Sequence, residues 1–463
     1  MKLQKTIKSR SRRAAILWLP VVTVLLASCG TKTESPIPTT QLTETEPEQT
    51  LSIRIAQPDR EQRLVWADLG ADYQTLTGIP VETAVRESGA SFSEPNTPTV
   101  ILFRDIREIP NLAETAYNLA ETAVFNALAD SSTALRVGGK AAAVPLDCDV
   151  YGLLVNKNAL LAYTALSNRV ASINAAEDIK SFADLKELVQ ELTKHKSELQ
   201  IKGAFAAPSL KADGKTWLTH ALSLPISAEF RSDNVSVTGG ATTSITFRNG
   251  GAYLNLLSLA AENGTAKAEA LQTRTDTAAI QDFAYGNAVF LPGTTADWPA
   301  LDAVKDRTVT NDSIAFIPLY MGLPEETDGG VAVEGKLWAA ISATATEAEQ
   351  KAAVDFLSWL TSSERGTDFL LRSLQLWPPY TTLPQASLQT NPITTASYAF
   401  LTDGTHSNRL SFVALLPEGS FPAAAGKAFA AYTTGKTTED TARQAIVIAW
   451  KAAYLPETTD TAG

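Results

Sequence analysis

The chain has 463 residues, with 39 Lys and Arg against 50 Asp and Glu, a formal net charge of −11. That acidic balance argues against nucleic acid as a partner and against docking on anionic lipid through a basic patch. Cys29 and Cys148 are its two cysteines and His195, His220 and His406 its three histidines, and no close His/Cys/Asp cluster exists, so neither a metal site nor a cofactor is expected.

Residues 1–13 carry Lys2, Lys5, Lys8, Arg10, Arg12 and Arg13 and no acid, and residues 14–26 are an almost unbroken apolar run. A basic start, a short apolar core and small residues before a cut are the parts of a secretory signal. The run is too short for a comfortable membrane span. Leu26-Ala27-Ser28-Cys29 resembles a bacterial lipobox, which implies a signal peptide over 1–28, cleavage before Cys29 and lipid on its thiol. The plainer alternative is an ordinary signal peptide that contains a Cys, and Arg12-Arg13 is a weak twin-arginine signal. The expected location is the extracellular face of a bacterial cell membrane, lipid-anchored. With Cys29 lipidated no intramolecular disulfide remains, and Cys148 reads as a packed thiol.

Residues 30–50 are rich in Thr, Pro and Glu and poor in apolar side chains. With Cys29 they read as a disordered spacer, 29–50, that holds the folded body away from the membrane.

The body opens with an alternating strand at 51–56. Leu64, Val65, Leu69, Tyr73 and Leu76 then follow helical spacing across 63–77, and Gly78 suits the helix end. Residues 79–85 and 99–103 read as further strands. This order indicates an α/β fold with a parallel sheet, whose ligands bind beyond the carboxyl ends of the strands. Residues 57–60, 86–88 and Arg104-Asp105 occupy those ends. Ser181 to Asp184 resembles a capping box before Leu185, Leu188, Val189 and Leu192, and Thr346 to Glu349 is a capping box outright. A helix is expected from Ser363 through Leu371 and another over 438–454. The body is long for one core, so two lobes are expected.

Several segments together resemble the extracellular solute-binding proteins of ABC importers, of the family 1, maltodextrin or carbohydrate-binding type. Residues 140–157, ending in Asn156-Lys157, resemble the family's first crossing between lobes, and 181–192 its following helix. Residues 288–298 resemble a strand and turn that end on a Trp. Residues 313–318 resemble the second crossover, 329–342 a Gly-rich loop and strand, 352–364 a late helix, and 435–442 the turn into the last helix. The resemblance implies a two-lobed, type II periplasmic-binding-protein-like fold, each lobe a mostly parallel sheet flanked by helices. Three hinge crossovers would lie near 146–152, 312–318 and 361–366. Residues 51–147 plus 316–362 would form the N-terminal lobe, 148–315 plus 363–455 the C-terminal lobe, and 456–463 a flexible tail. Asn287-Ala-Val-Phe lacks the family's usual Gly and Met, and Phe421 is the nearest match to its late aromatic.

A neutral sugar presents hydroxyls and an apolar ring face, so its site needs aromatic platforms with carboxylates, amides and Arg. Trp66, Trp359 and Trp450 fall on apolar helix faces and read as core. Trp298 matches the family's stacking position. Trp217, Trp338 and Trp377 are candidates for which packing competes with ligand contact. The resemblance places a sugar-binding carboxylate at Asp149, with Asp147 the adjacent alternative. Arg104, Asp105 and Asp59 stand at strand ends, where an Arg-Asp pair could equally be a solvated salt bridge.

The implied function is capture of a carbohydrate, an oligosaccharide above all, by hinge closure and delivery to an ABC permease. The chain is expected to work as a monomer without catalysis. Rival readings keep the fold with a polyamine, peptide or anion as solute, or make the chain a sensing lipoprotein without a transport role. A glycosidase would need a second acid across the scissile bond, which the sequence does not supply.

Overall fold

The computed structural model describes residues 51–86, 92, 97–112, 114–233, 243–326, 329–383, 391–402 and 406–454. The expectations for the leader, Cys29, the spacer, Glu87, Ser88 and the 456–463 tail lie outside these residues. Among the described residues ten strands form the framework: β1 (Ile53–Gln57), β2 (Val81–Val85), β3 (Val100–Phe103), β4 (Leu135–Val137), β5 (Lys140–Asn156), β6 (Gly203–Phe205), β7 (Ala288–Thr294), β8 (Ile314–Ile317), β9 (Ala332–Ile341) and β10 (Arg409–Leu410). Their main order is β2-β1-β3-β9-β5-β7-β6, with β4 and β8 paired to β5 and β10 to β9.

The expected parallel pairing holds towards the two ends of this order, where β1 lies parallel to β2 and β3, and β6 parallel to β7, and in the short β10, which lies parallel to β9. Along the main order between them, β3-β9-β5-β7, the pairing is antiparallel, and β5 runs as one 17-residue strand through the middle. Residues 144–151 of β5 pair with β9, 151–155 with β7 and 153–156 with β8. The pairing with β9 shifts register between Pro145 and Cys148, so the regular ladder is broken around Asp147, ahead of Tyr151, where the strand passes from β9 to β7.

Side-chain alternation along these strands builds two cores on opposite faces of the sheet. Val100 and Leu102 join one core with Trp66, Tyr73 and Phe356, while Ile101 and Phe103 join the other with Leu185, Trp217 and Trp450. A strand buried on both faces reads as a continuous apolar run, as 100–103 does.

Helix ends follow their local chemistry. The helix Arg63–Thr77 stops at Gly78, whose φ of 76° lies in the left-handed region that a side chain would disfavour. Ser181 Oγ accepts from the Asp184 N–H at 3.1 Å ahead of helix Phe182–Lys194. Thr346 and Glu349 exchange a reciprocal pair of hydrogen bonds, 3.3 and 2.9 Å, ahead of helix Glu347–Ser362. The helix expected from Ser363 begins as Glu364–Asp368 and widens into a π-helical turn at Phe369–Ser373. The first such turn in chain order, Thr216–Ala221, precedes helix Leu222–Ser232, and there the His220 N–H reaches back five residues to the Lys215 carbonyl, whereas Phe369–Ser373 is the second.

Candidate functional site

A cavity of about 890 Å³ opens beside the register shift in β5. Asp147 and Asp149 enter it from β5, Arg104 from the end of β3 and Lys336 from β9. Trp298 enters from the turn after β7, and Gln375 and Trp377 from the segment after the second π-helical turn. Thr295, Arg372 and Asn391 add to its polar lining.

The backbone of Trp377 is fastened to β5 on both sides. Its N–H donates to Asp147 Oδ1 at 2.8 Å and its carbonyl accepts from the Cys148 N–H at 3.0 Å. The Cys148 thiol also donates to that carbonyl, and burial pushes its pKa well up, as suits a packed rather than a reactive thiol. Burial lifts the Asp147 carboxyl to about 6, with the Trp377 N–H opposing the shift and neighbouring Asp149 adding to it.

Asp149 accepts from Thr295 Oγ at 3.0 Å and lies 3.5 Å from Lys336 Nζ. The same ammonium stands 3.0 Å from Glu334 Oε1, and Glu334 faces Asp149 directly across the β5–β9 pair. Burial pulls the Lys336 pKa down, but Glu334 and Asp149 together more than reverse it. The second oxygen of Glu334 is buried without a hydrogen bond, 3.5 Å from His220 Nδ1. Burial and the two nearby lysines hold His220 down to about 3, so this contact joins a neutral ring to a carboxylate and is not an ion pair. The His220 ring stacks on Tyr151 at 5.4 Å.

Arg104 donates through Nε and Nη2 to both oxygens of Asp59, at 3.0 and 2.6 Å, and through Nη1 to the Lys336 carbonyl at 3.2 Å. Its partner is therefore Asp59 and not its sequence neighbour. Asp105 instead holds Arg107 and caps the short turn Ile106–Glu108.

The sequence-derived candidates thus divide. Arg104, Asp147, Asp149, Trp298 and Trp377 line one cavity, and Asp59 supports it from behind Arg104. Asp105 faces a different cavity. Trp217 and Trp338 are each 1 % exposed and line neither. Trp217 belongs to the core, edge-on to Tyr253. Trp338 folds over Gly335, where a Cβ would lie only 2.0 Å from its ring. Phe421 is core as well, edge-on to Trp450. Lys336, Arg372, Gln375 and Asn391 line the cavity without having been singled out from sequence. Lys336 left a usable signal, since Glu334-Gly335-Lys336 interrupts an otherwise apolar strand.

A sequence model of the bacterial extracellular solute-binding proteins matches residues 75–397. The chain belongs to that family. No curated protein matches it. Among solved structures it is similar to a family 1 extracellular solute-binding protein from Bifidobacterium longum subsp. infantis, at 13% identity and a TM-score of 0.59, over 87% of this chain and 99% of that one. It is also similar to the apo form of RafE from Streptococcus pneumoniae, at 12% identity and a TM-score of 0.56, over 89% and 100% of the two chains. A third is the cyclic alpha-maltosyl-1,6-maltose binding protein from Arthrobacter globiformis, at 14% identity and a TM-score of 0.53, over 87% and 98%. These likenesses fix the fold as the two-lobed, type II arrangement of solute-binding proteins, in which β5 is a strand shared by both halves of the sheet. The family comprises binding proteins rather than enzymes.

Proposed function

We propose that this solute-binding protein captures a carbohydrate of oligosaccharide size between its lobes by hinge closure. It then hands the solute to the permease of an ABC importer, while lipid on Cys29 tethers it to the outer face of the cell membrane. The lobes in this reading are 51–147 plus 316–362 and 148–315 plus 363–455, with β5 carrying the first crossover.

The observation that carries the solute assignment is the lining of the main cavity. Trp298 and Trp377 supply aromatic surface, while Asp147, Asp149, Gln375 and Asn391 supply acceptors and amides. Arg104, Lys336 and Arg372 stand among them. Three cations disfavour a polyamine and two carboxylates disfavour an anion, which leaves a neutral, hydroxyl-rich molecule as the best match. The binding of a cyclic maltosyl-maltose by the Arthrobacter globiformis relative supports the same class. Among the described lining residues the carboxylates are Asp147 and Asp149, both from one strand, so no opposing acid is present for glycoside hydrolysis.

Hinge closure follows from differential contact. The ligand favours the closed state only by touching groups that the open state holds apart. Asp147 and Asp149 sit on the crossover itself, while Arg104 follows β3 and Trp298 follows β7, on opposite sides of β5 in the sheet order. The test is thermal unfolding of the soluble protein with a panel of neutral oligosaccharides, spermidine, short peptides and anions. A ligand at a hundred times its Kd stabilises by about 2.7 kcal/mol. Stabilisation by one oligosaccharide class, absent in Asp149→Asn, supports the proposal. Stabilisation by spermidine or an anion alone refutes it.

A further inference from the structure

Arg104 borders more than the main cavity. A second cavity of about 450 Å³ lies beyond it, and Arg104 lines both. Asp105 and Arg107 border the second chamber from the turn after β3. Thr219 borders it from the first π-helical turn, and Ala414 and Glu418 from the segment before helix Phe421–Thr433. Its walls therefore come from parts of the chain far apart in sequence, as those of the main cavity do.

Arg104 forms a fixed partition. Asp59 holds two of its nitrogens and the Lys336 carbonyl a third, so the plane of the guanidinium is set before any ligand arrives. The main cavity, at about 890 Å³, is already near the top of the roughly 300–1,000 Å³ range of small-molecule sites. A second chamber sharing a wall with it suits extension of one solute better than an independent small ligand.

The two chambers differ in chemistry. Trp298 and Trp377 line the first, whereas no aromatic side chain stands among the described residues lining the second. The second chamber's cations are already engaged, Arg104 by Asp59 and Arg107 by Asp105 at 2.8 Å, and Glu418 adds negative charge. Such a chamber repels anions and offers hydrogen bonds without a stacking surface.

We infer that the cleft takes a linear, neutral oligosaccharide whose first units lie against Trp298 and Trp377 and whose later units pass Arg104 into the chamber walled by Arg107, Thr219 and Ala414. The inference rests on the carbohydrate reading of the main cavity. Units beyond Arg104 are held by hydrogen bonds rather than by stacking, so each adds about three- to tenfold in affinity, the order expected for one or two net hydrogen bonds.

The test is calorimetric titration of the wild type, Ala414→Trp and Arg107→Ala with α-glucan, β-xylan and N-acetylglucosamine oligomers, from monosaccharide to hexasaccharide. In the series the wild type binds, affinity is expected to climb with length past the units that fill the first chamber. Ala414→Trp, which fills the second chamber, brings the ratio of hexasaccharide to shortest-binder affinity down towards one, and Arg107→Ala lowers it part-way. A wild type that binds a series without length dependence, or variants that keep the full ratio, overturn this inference and leave the carbohydrate reading standing. A wild type that binds no member of any series overturns both.

Discussion

Removing the Lys336 ammonium perturbs the charge cluster between β5 and β9 most directly. Lys336 Nζ stands 3.0 Å from Glu334 and 3.5 Å from Asp149, whose side chains are 11 % and 16 % exposed. These two carboxylates face each other across the β5–β9 pair, so Lys336→Met leaves like charges opposed with little water to screen them. Breaking a fully buried pair costs about 3–5 kcal/mol. Lys336 itself is 35% exposed, which reduces the expected loss to about 2–3 kcal/mol at pH 7. Burial already raises the Glu334 pKa, and losing its cation raises it further. A carboxyl whose folded pKa is raised stabilises the fold below its unfolded pKa, and that contribution is lost as pH rises through the folded value. The variant is therefore expected to be close to wild type near pH 4.5 and weakest near pH 8, and Glu334→Gln is expected to restore much of the loss. Urea unfolding of the soluble protein from Thr31 onward, across that pH range, reads this directly. A Lys336→Met midpoint that tracks wild type at every pH would refute the charge-bridge assignment.

Asp147, lifted to about 6 by burial, is expected to bind hydroxyl donors best when ionised. Solute affinity should therefore weaken as pH falls through 6, and Asp147→Asn should flatten that profile in calorimetry. Trp298→Ala is expected to weaken binding at least about tenfold, the order of an aromatic contact of roughly 1.5 kcal/mol. Because Trp298 is only 8 % exposed, the same truncation also lowers stability by about 3–5 kcal/mol, and an affinity equal to wild type in the folded variant removes it from the site. Trp217→Ala should lower stability by a similar amount while leaving the affinity of the folded fraction within about twofold, which separate denaturation and binding curves distinguish. Thr346→Ala should cost about 1 kcal/mol through loss of its capping hydrogen bond, seen as a lower unfolding midpoint with solute affinity intact.

Much of the fold was legible because it rests on local rules. The helical spacing across 63–77, closed by Gly78, matches the observed helix Arg63–Thr77, and the Thr346–Glu349 box opens the helix it announces. Strand order was harder, because the antiparallel middle of the sheet depends on where β5 and β9 meet across nearly two hundred residues of sequence. The π-helical turns at Thr216–Ala221 and Phe369–Ser373 have no side-chain signature, since they differ from ordinary helix in which carbonyl each N–H reaches.

The lining of the candidate cavity was half legible for the same reason. Trp298, Asp149 and Asp147 sit at the end of a strand or on the crossover strand and declare themselves by position. Trp217 looks like a site aromatic from its place after a Gly-Lys loop, yet tertiary packing buries it. The engagement of Arg104 with Asp59 rather than Asp105 is a fact of the β1–β3 neighbourhood, visible only once the strands are placed side by side. Gln375 and Asn391 come from irregular segments, where no periodicity marks them.

The most direct measurement is intrinsic tryptophan fluorescence of the soluble protein from Thr31 onward, titrated with mono- and oligosaccharides in the wild type and in Trp377→Phe. Trp377 lines the cavity and its backbone is tied to β5, so a bound sugar should shift the emission saturably with one sugar class. Trp377→Phe should then reduce the shift. Emission that stays unchanged across the whole sugar panel, while a non-sugar solute shifts it, would contradict the assignment of the cavity to a carbohydrate.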